Sequence, residues 1–218
     1  MKTVFISDTH GQHRKLKNLP KGDLIIHGGD VSKLGKDHEV EDFIHWFLSL
    51  DYAHKIFIAG NHDFYFEDYS LDFILKKLTS NCHYLCNSGV EIEGLKFWGS
   101  PVTPLFFNWA FNEDRGKPIK NFWDLIPRNS DILITHGPPK NILDKTVSDV
   151  NVGCEELLKK VKVLKPKFHL FGHIHESYGI ETKHNVTFIN ASLLNEKYEM
   201  ANLPIEINLE QNHLNVIK

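Results

Sequence analysis

The chain has 218 residues, 41% of them apolar and 24% charged, with a formal net charge of −3. That length suits one α/β domain spanning residues 1–218, with enough apolar side chains for a core. The slightly acidic balance, without a long basic run, excludes broad electrostatic binding of an extended nucleic acid.

Lys2 to Ser7 reads as a first strand, leaving no room for a leader peptide. No apolar stretch reaches the length of a membrane span, so the expectation is a cytoplasmic chain without membrane contact. A strand at Asp23 to His27 precedes a helix over 37–50, where Val40, Phe43, Ile44, Phe47 and Leu48 recur at helical spacing and Trp46 falls at the margin. Lys55 to Ala59 gives a third strand. A helix over 71–79 follows, with Leu71, Ile74, Leu75 and Leu78 on one face.

Val90 to Glu93, Gly94, then Leu95 to Trp98 predicts a hairpin with a glycine turn. Segment 101–116 is aromatic, Pro-broken and without period: Phe106, Phe107, Trp109 and Phe111 either pack on the body or offer a base-stacking platform. The alternation resumes with a strand at Asp131 to Thr135, a helix over 154–164 and a strand at Phe168 to Phe171. Three more strands, Val186 to Ile189, Ile205 to Leu209 and Leu214 to Ile217, close the chain. About ten strands with few helices imply two sheets rather than one, so the fold class is α/β, a two-sheet sandwich flanked by helices. Cys82, Cys86 and Cys154 are too few for a disulfide framework and read as reduced thiols.

Five short motifs stand at the ends of five apolar runs: Asp8-Thr9-His10, Gly29-Asp30, Gly60-Asn61-His62-Asp63, Thr135-His136-Gly137 and Gly172-His173-Ile174-His175. In α/β sheets that edge is where ligands bind. With 14 Asp and 14 His in the chain, one Asp-x-His or one His-x-His arises about once by chance. All five in order is a different matter. Together they offer a mixed nitrogen and oxygen donor set without thiolate, suited to Mn, Fe, Zn, Co or Ni. Such a set answers the two obstacles to phosphate-ester hydrolysis: a weak water nucleophile and an anionic phosphorus centre.

The series D-x-H, GD-x4-G from Asp30 to Gly35, GNHD, THGPP and GHIH resembles the calcineurin-like metallophosphoesterase superfamily. Gly60-Asn61-His62, Val152-Gly153-Cys154 and Ile189-Asn190-Ala191-Ser192 narrow the resemblance to its metallophosphoesterase-domain-containing branch, over about residues 3–192. The resemblance implies two divalent metal ions, with Mn²⁺ or Fe²⁺ foremost. Asp8, His10 and His175 would hold one; Asn61, His136 and His173 the other; Asp30 would bridge. It implies a phosphodiesterase acting on a small or nucleotide-like phosphodiester by in-line attack of a metal-bridging hydroxide. His62 would bind the phosphate and protonate the leaving oxygen, outside the ligand set, with Asp63 orienting its ring.

Arg115 reads either as a phosphate clamp or as a surface charge. Lys33-Leu34 replaces the Asp-Arg of the superfamily's protein phosphatases, which removes support for a phosphoserine phosphatase. Some relatives in this branch lack the histidine matching His173; the chain keeps it, which implies turnover. The rival readings are a phosphomonoesterase with the same site and a low-turnover nucleotide-binding sensor. A nuclease would need a basic groove that the composition does not offer. Of the other histidines, His27 reads as a hydrogen-bonded core residue and His13 as an exposed loop residue. A monomer or homodimer is expected.

Overall fold

A computed structural model describes residues 1–209. In chain order, β1 (Lys2–Ile6), β2 (Leu24–His27), α1 (Asp37–Ser49), β3 (His54–Phe57), α2 (Phe64–Asp68), α3 (Leu71–Leu75) and β4 (Cys82–Tyr84) come first. Next are β5 (Ser88–Ile92), β6 (Leu95–Ser100), β7 (Thr103–Pro104), β8 (Asn112–Glu113), α4 (Lys117–Asp124), β9 (Ile132–Thr135), α5 (Glu155–Leu164) and β10 (Phe168–Phe171). Then follow β11 (Gly179–Lys183), β12 (Val186–Asn190) and β13 (Ile205–Asn208). One sheet has the order β13-β1-β2-β3-β4 and the other β11-β12-β10-β9-β6-β5, while β7 and β8 pair separately.

The apolar runs work because both faces of each central strand are covered, as parallel strands require. Along β1, Phe5 points between the sheets while Val4 and Ile6 pack under α1. On β9, Ile132 and Ile134 enter the same inter-sheet layer, and Leu133 faces α4 and α5 through Trp123 and Leu157. This period-2 division makes a four-layer stack, helix on sheet on sheet on helix.

The helix ends follow from local chemistry. The Glu39 carboxylate accepts the N–H groups of Leu34 and Lys36 at the start of α1, at 3.2 and 3.3 Å. The Cys154 thiol caps α5 by accepting from Leu157 N, and it also takes the Trp123 indole N–H, both at 3.4 Å. That cysteine is a buried structural group.

Three expectations need correction. Trp46 is a core residue at 7% exposure. The α3 helix ends at Leu75, and of its expected apolar face only Ile74 is buried, Leu71 and Leu75 being 48% and 45% exposed. Strands β4 and β11 and helices α2 and α4 carried too short or too polar a pattern to be read. His13 is buried, its ring against Trp46 and Nε2 3.0 Å from Asp42. Strand Leu214 to Ile217 lies outside the described residues. Among the described residues, no helix is long and apolar enough to cross a membrane.

Strands β1, β2 and β3 are parallel in one sheet, as are β6, β9, β10 and β12 in the other. At the C-terminal edge the two sheets are stitched together: Ser7 N donates to Ala191 O and Leu193 N to Ser7 O, each at 3.0 Å. All five motifs leave their strands at this seam.

Candidate metal centre and active site

Asp8 and His10 follow β1, Asp30 follows β2, Asn61 and His62 follow β3, His136 follows β9, and His173 and His175 follow β10. Four of these, Asp8, His10, Asp30 and His173, have φ between +41° and +69°. Left-handed backbone is rare outside glycine and concentrates at functional sites, where the surrounding structure enforces it. Here each strained turn swings a ligand-type side chain back over the strand ends. Gly60 and Gly172 leave the room: a Cβ on Gly60 would collide with the Asp30 carboxylate, and one on Gly172 with the Asp8 carboxylate. Hence the glycine ahead of Asn61 and of His173.

Three triads each bring one ligand atom per residue to within 4.8 Å of the others: Asp8–His10–His175, His10–Asp30–His62 and Asp30–His136–His173. Asp30 is common to two, with Oδ2 3.5 Å from His10 Nε2 and 3.2 Å from His136 Nε2. Asn61 Oδ1 lies 3.0 Å from His136 Nε2, beside the third triad. The structure therefore gathers Asp8, His10, Asp30, Asn61, His136, His173 and His175 around two adjoining centres with Asp30 between them. His62, which the resemblance kept outside the ligand set, joins His10 and Asp30 in the second triad.

The donor chemistry fits divalent cations. His136 Nδ1 faces the Gly28 carbonyl and His175 Nδ1 the Asn195 carbonyl, both at 3.0 Å. A carbonyl only accepts, so Nδ1 carries the proton and the neutral ring turns an Nε2 lone pair inward. That is the ligand tautomer, fixed from behind. Burial alone would lower the His136 and His175 pKa values, but Asp30 and Asp8 respectively lift both to about 9. Burial would likewise raise the Asp8 and Asp30 carboxyls, yet the neighbouring His175 and His136 bring them below the usual carboxylate range. Concentrated buried negative charge, balanced only by imidazoles, is a cation site.

Asp63 does not orient the His62 ring, the role the resemblance implied. Its buried carboxylate accepts from Val31 N (3.1 Å), Ser32 N (2.9 Å), Ser32 Oγ (2.6 Å) and Gly60 N (2.9 Å), locking the Asp30 and Asn61 loops together. Burial, then the Asp30 charge, raises its pKa to about 6 against those bonds. The His62 ring is instead fixed by Nδ1 donating to the Lys33 carbonyl at 2.7 Å, and by the Trp109 indole.

Arg115 donates to Gly153 O (2.9 Å), Val152 O (2.6 Å) and Glu155 Oε2 (2.6 Å). It lines a cavity of about 330 Å³ that also touches His173 and His175. Asn195, Tyr198 and Trp109 were not assigned to the site from sequence. The Tyr198 ring stands 4.9 Å from His10 and 5.1 Å from His175. Asn195 and Tyr198 lie in a turn-rich segment after β12 with no motif to mark it.

Comparison with known proteins agrees with this geometry. The model of the calcineurin-like phosphoesterase family matches residues 1–177. The chain is 40% identical over 229 residues to human metallophosphoesterase domain-containing protein 1, covering 94% of this chain and 70% of that one. It is also 40% identical to the Caenorhabditis elegans UPF0046 protein C25E10.12, covering 93% of this chain and 78% of that protein. The phosphopantetheinyl hydrolase of Mycobacterium tuberculosis shares the fold at a TM-score of 0.58, with 12% identity over 90% of each chain. With the family matched over most of its length, and candidate metal ligands gathered at its sheet seam, this chain belongs to the calcineurin-like phosphoesterases and is a metal-dependent phosphoesterase.

Proposed function

We propose that the protein is a phosphodiesterase acting on a small phosphodiester, with Mn²⁺ or Fe²⁺ as its metals. The observation that carries this is the charge of the cavity beside the two centres. Its lining holds Arg115 as its lysine or arginine cation, already tied to Glu155, together with the carboxylates of Glu176 and Glu196. A phosphomonoester dianion would meet little positive charge there beyond the metals. A diester carries one negative charge and an extra organic arm, and both suit such a pocket.

Asp8, His10 and His175 would hold one metal and Asn61, His136 and His173 the other, with Asp30 shared. When bound, the pair would acidify a water and offset charge on the phosphoryl oxygens. The chain's own contribution centres on His62. With Nδ1–H spent on the Lys33 carbonyl, Nε2 is the nitrogen left to hand a proton to the leaving oxygen.

The test compares bis-p-nitrophenyl phosphate with p-nitrophenyl phosphate, using chelator-stripped protein resupplied with Mn²⁺ and His62→Ala as control. Faster metal-dependent release from the diester, lost in the variant, supports the reading. Preference for the monoester overturns it.

A further inference from the structure

The four aromatics of segment 101–116 do not share one role. Trp109 stacks on His62, Phe111 packs against the core, and Phe107 is 77% exposed. Phe106 is 64% exposed and Leu105 52%, and both line the cavity that His173 and His175 border. Two large apolar side chains left in water beside a catalytic cleft call for an apolar occupant.

The loop is built to hold them there. Leu105 N donates to Glu113 O at 2.8 Å, Asn112 Nδ2 to the Phe106 carbonyl at 3.1 Å, and Ala110 N to Asn61 O at 3.0 Å. The last bond anchors the loop to a candidate metal ligand's own backbone. Opposite, Pro138, Val152 and Ile174 complete an apolar wall. At about 330 Å³ the space is at the lower end of small-ligand cavities, which run from about 300 to 1,000 Å³.

We infer that this cavity is a subsite for an uncharged, apolar arm of the substrate, aryl in kind, and that Leu105 and Phe106 set that preference. The inference rests on the phosphodiesterase reading and narrows it: the phosphate sits at the metal centres, and the arm that is not expelled lies against Leu105 and Phe106. The lining also carries Arg115, Thr146, Glu176, Glu196 and Tyr198, so the preference is assigned to Leu105 and Phe106 alone.

The experiment uses two diesters with one leaving group, methyl and phenyl p-nitrophenyl phosphate, on the Mn²⁺-loaded protein, Phe106→Ser and Leu105→Ser. Taking the phenyl-to-methyl ratio of kcat/KM in protein and variant cancels the esters' intrinsic difference in reactivity. The expected result is a ratio lower by at least about tenfold in Phe106→Ser, carried mainly by KM. Both side chains are exposed, so folding survives and unchanged thermal midpoints verify it.

Calorimetric binding of diphenyl against dimethyl phosphate gives a readout that needs no turnover. Tighter binding of diphenyl phosphate, weakened in Phe106→Ser, upholds the subsite even if no diester is cleaved and the phosphodiesterase reading falls. Diester hydrolysis with an unchanged ratio in both variants, or a thymidine arm preferred over phenyl, overturns the subsite and leaves the phosphodiesterase reading standing.

Discussion

The imidazole of His62 lies against the indole of Trp109, with ring centroids 4.2 Å apart and planes 28° apart. The arrangement holds the His62 ring in place. Trp109 stacks on His62 and tilts against Phe64. Trp109→Ala should therefore lower kcat on the order of tenfold while metal content stays constant. Steady-state kinetics paired with elemental analysis decides it; lost metal would mean the indole is structural.

Asp63 makes a different prediction from a catalytic partner of His62. Asp63→Ala orphans donors on Val31, Ser32 and Gly60, so unfolding free energy should drop by at least about 3 kcal/mol. Urea denaturation measures this. Unchanged stability with reduced turnover would restore the orienting role that the sequence suggested.

His173 is half-buried and its ring stands 4.9 Å from that of His136. Its removal should leave the core intact. His173→Ala should loosen one of two metals and cut turnover by at least about a hundredfold, with far-UV circular dichroism unchanged. Full activity in this variant would remove His173 from the ligand set.

Metal uptake should depend on pH. In the metal-free protein, burial opposed by the aspartates leaves His136 and His175 with pKa values near 9, so both rings are protonated below that. A metal takes the Nε2 lone pair and displaces that proton, so apparent affinity falls as pH drops below about 9. The slope is up to about tenfold per pH unit for each proton displaced. Calorimetric titration in buffers of different ionisation heat should reveal proton release. None being seen would refute the protonation assignment.

His169 contributes to acid stability. The Thr135 hydroxyl donates to Gly137 O at 2.7 Å, so His169 Nε2 must donate to Thr135 Oγ1 at 2.8 Å. Its Nδ1 is left bare and buried between Phe171 and Phe188. Burial lowers the ring's pKa to about 3, from 6.5. Between those values the unfolded chain binds the proton and the folded chain does not. Stability is thus complete above pH 6.5 and declines below it by about 1.4 kcal/mol per unit from this residue. His169→Phe should flatten that slope in denaturation curves taken from pH 7 to 5.

The candidate ligands were legible because each is a polar residue at the end of an apolar run, and parallel topology delivers all such ends to one edge. Central strands such as β1 and β9 were legible for the same reason. What was missed depends on pairing across the fold. Asn195 acts through a backbone carbonyl, for which residue type carries no signal. Three-residue β4 survives only by pairing with β3. Asp63 was misread because the resemblance implied a carboxylate holding the His62 ring, whereas the chain turns into α2 and sends the carboxylate inward.

The strained turns have an evolutionary corollary. Asp8, His10, Asp30 and His173 hold left-handed backbone that glycine would adopt more cheaply, so each candidate ligand position is also a thermodynamic liability. Directed selection for robustness alone, without a turnover screen, should drift toward glycine at these four places and erase the enzyme while improving the scaffold.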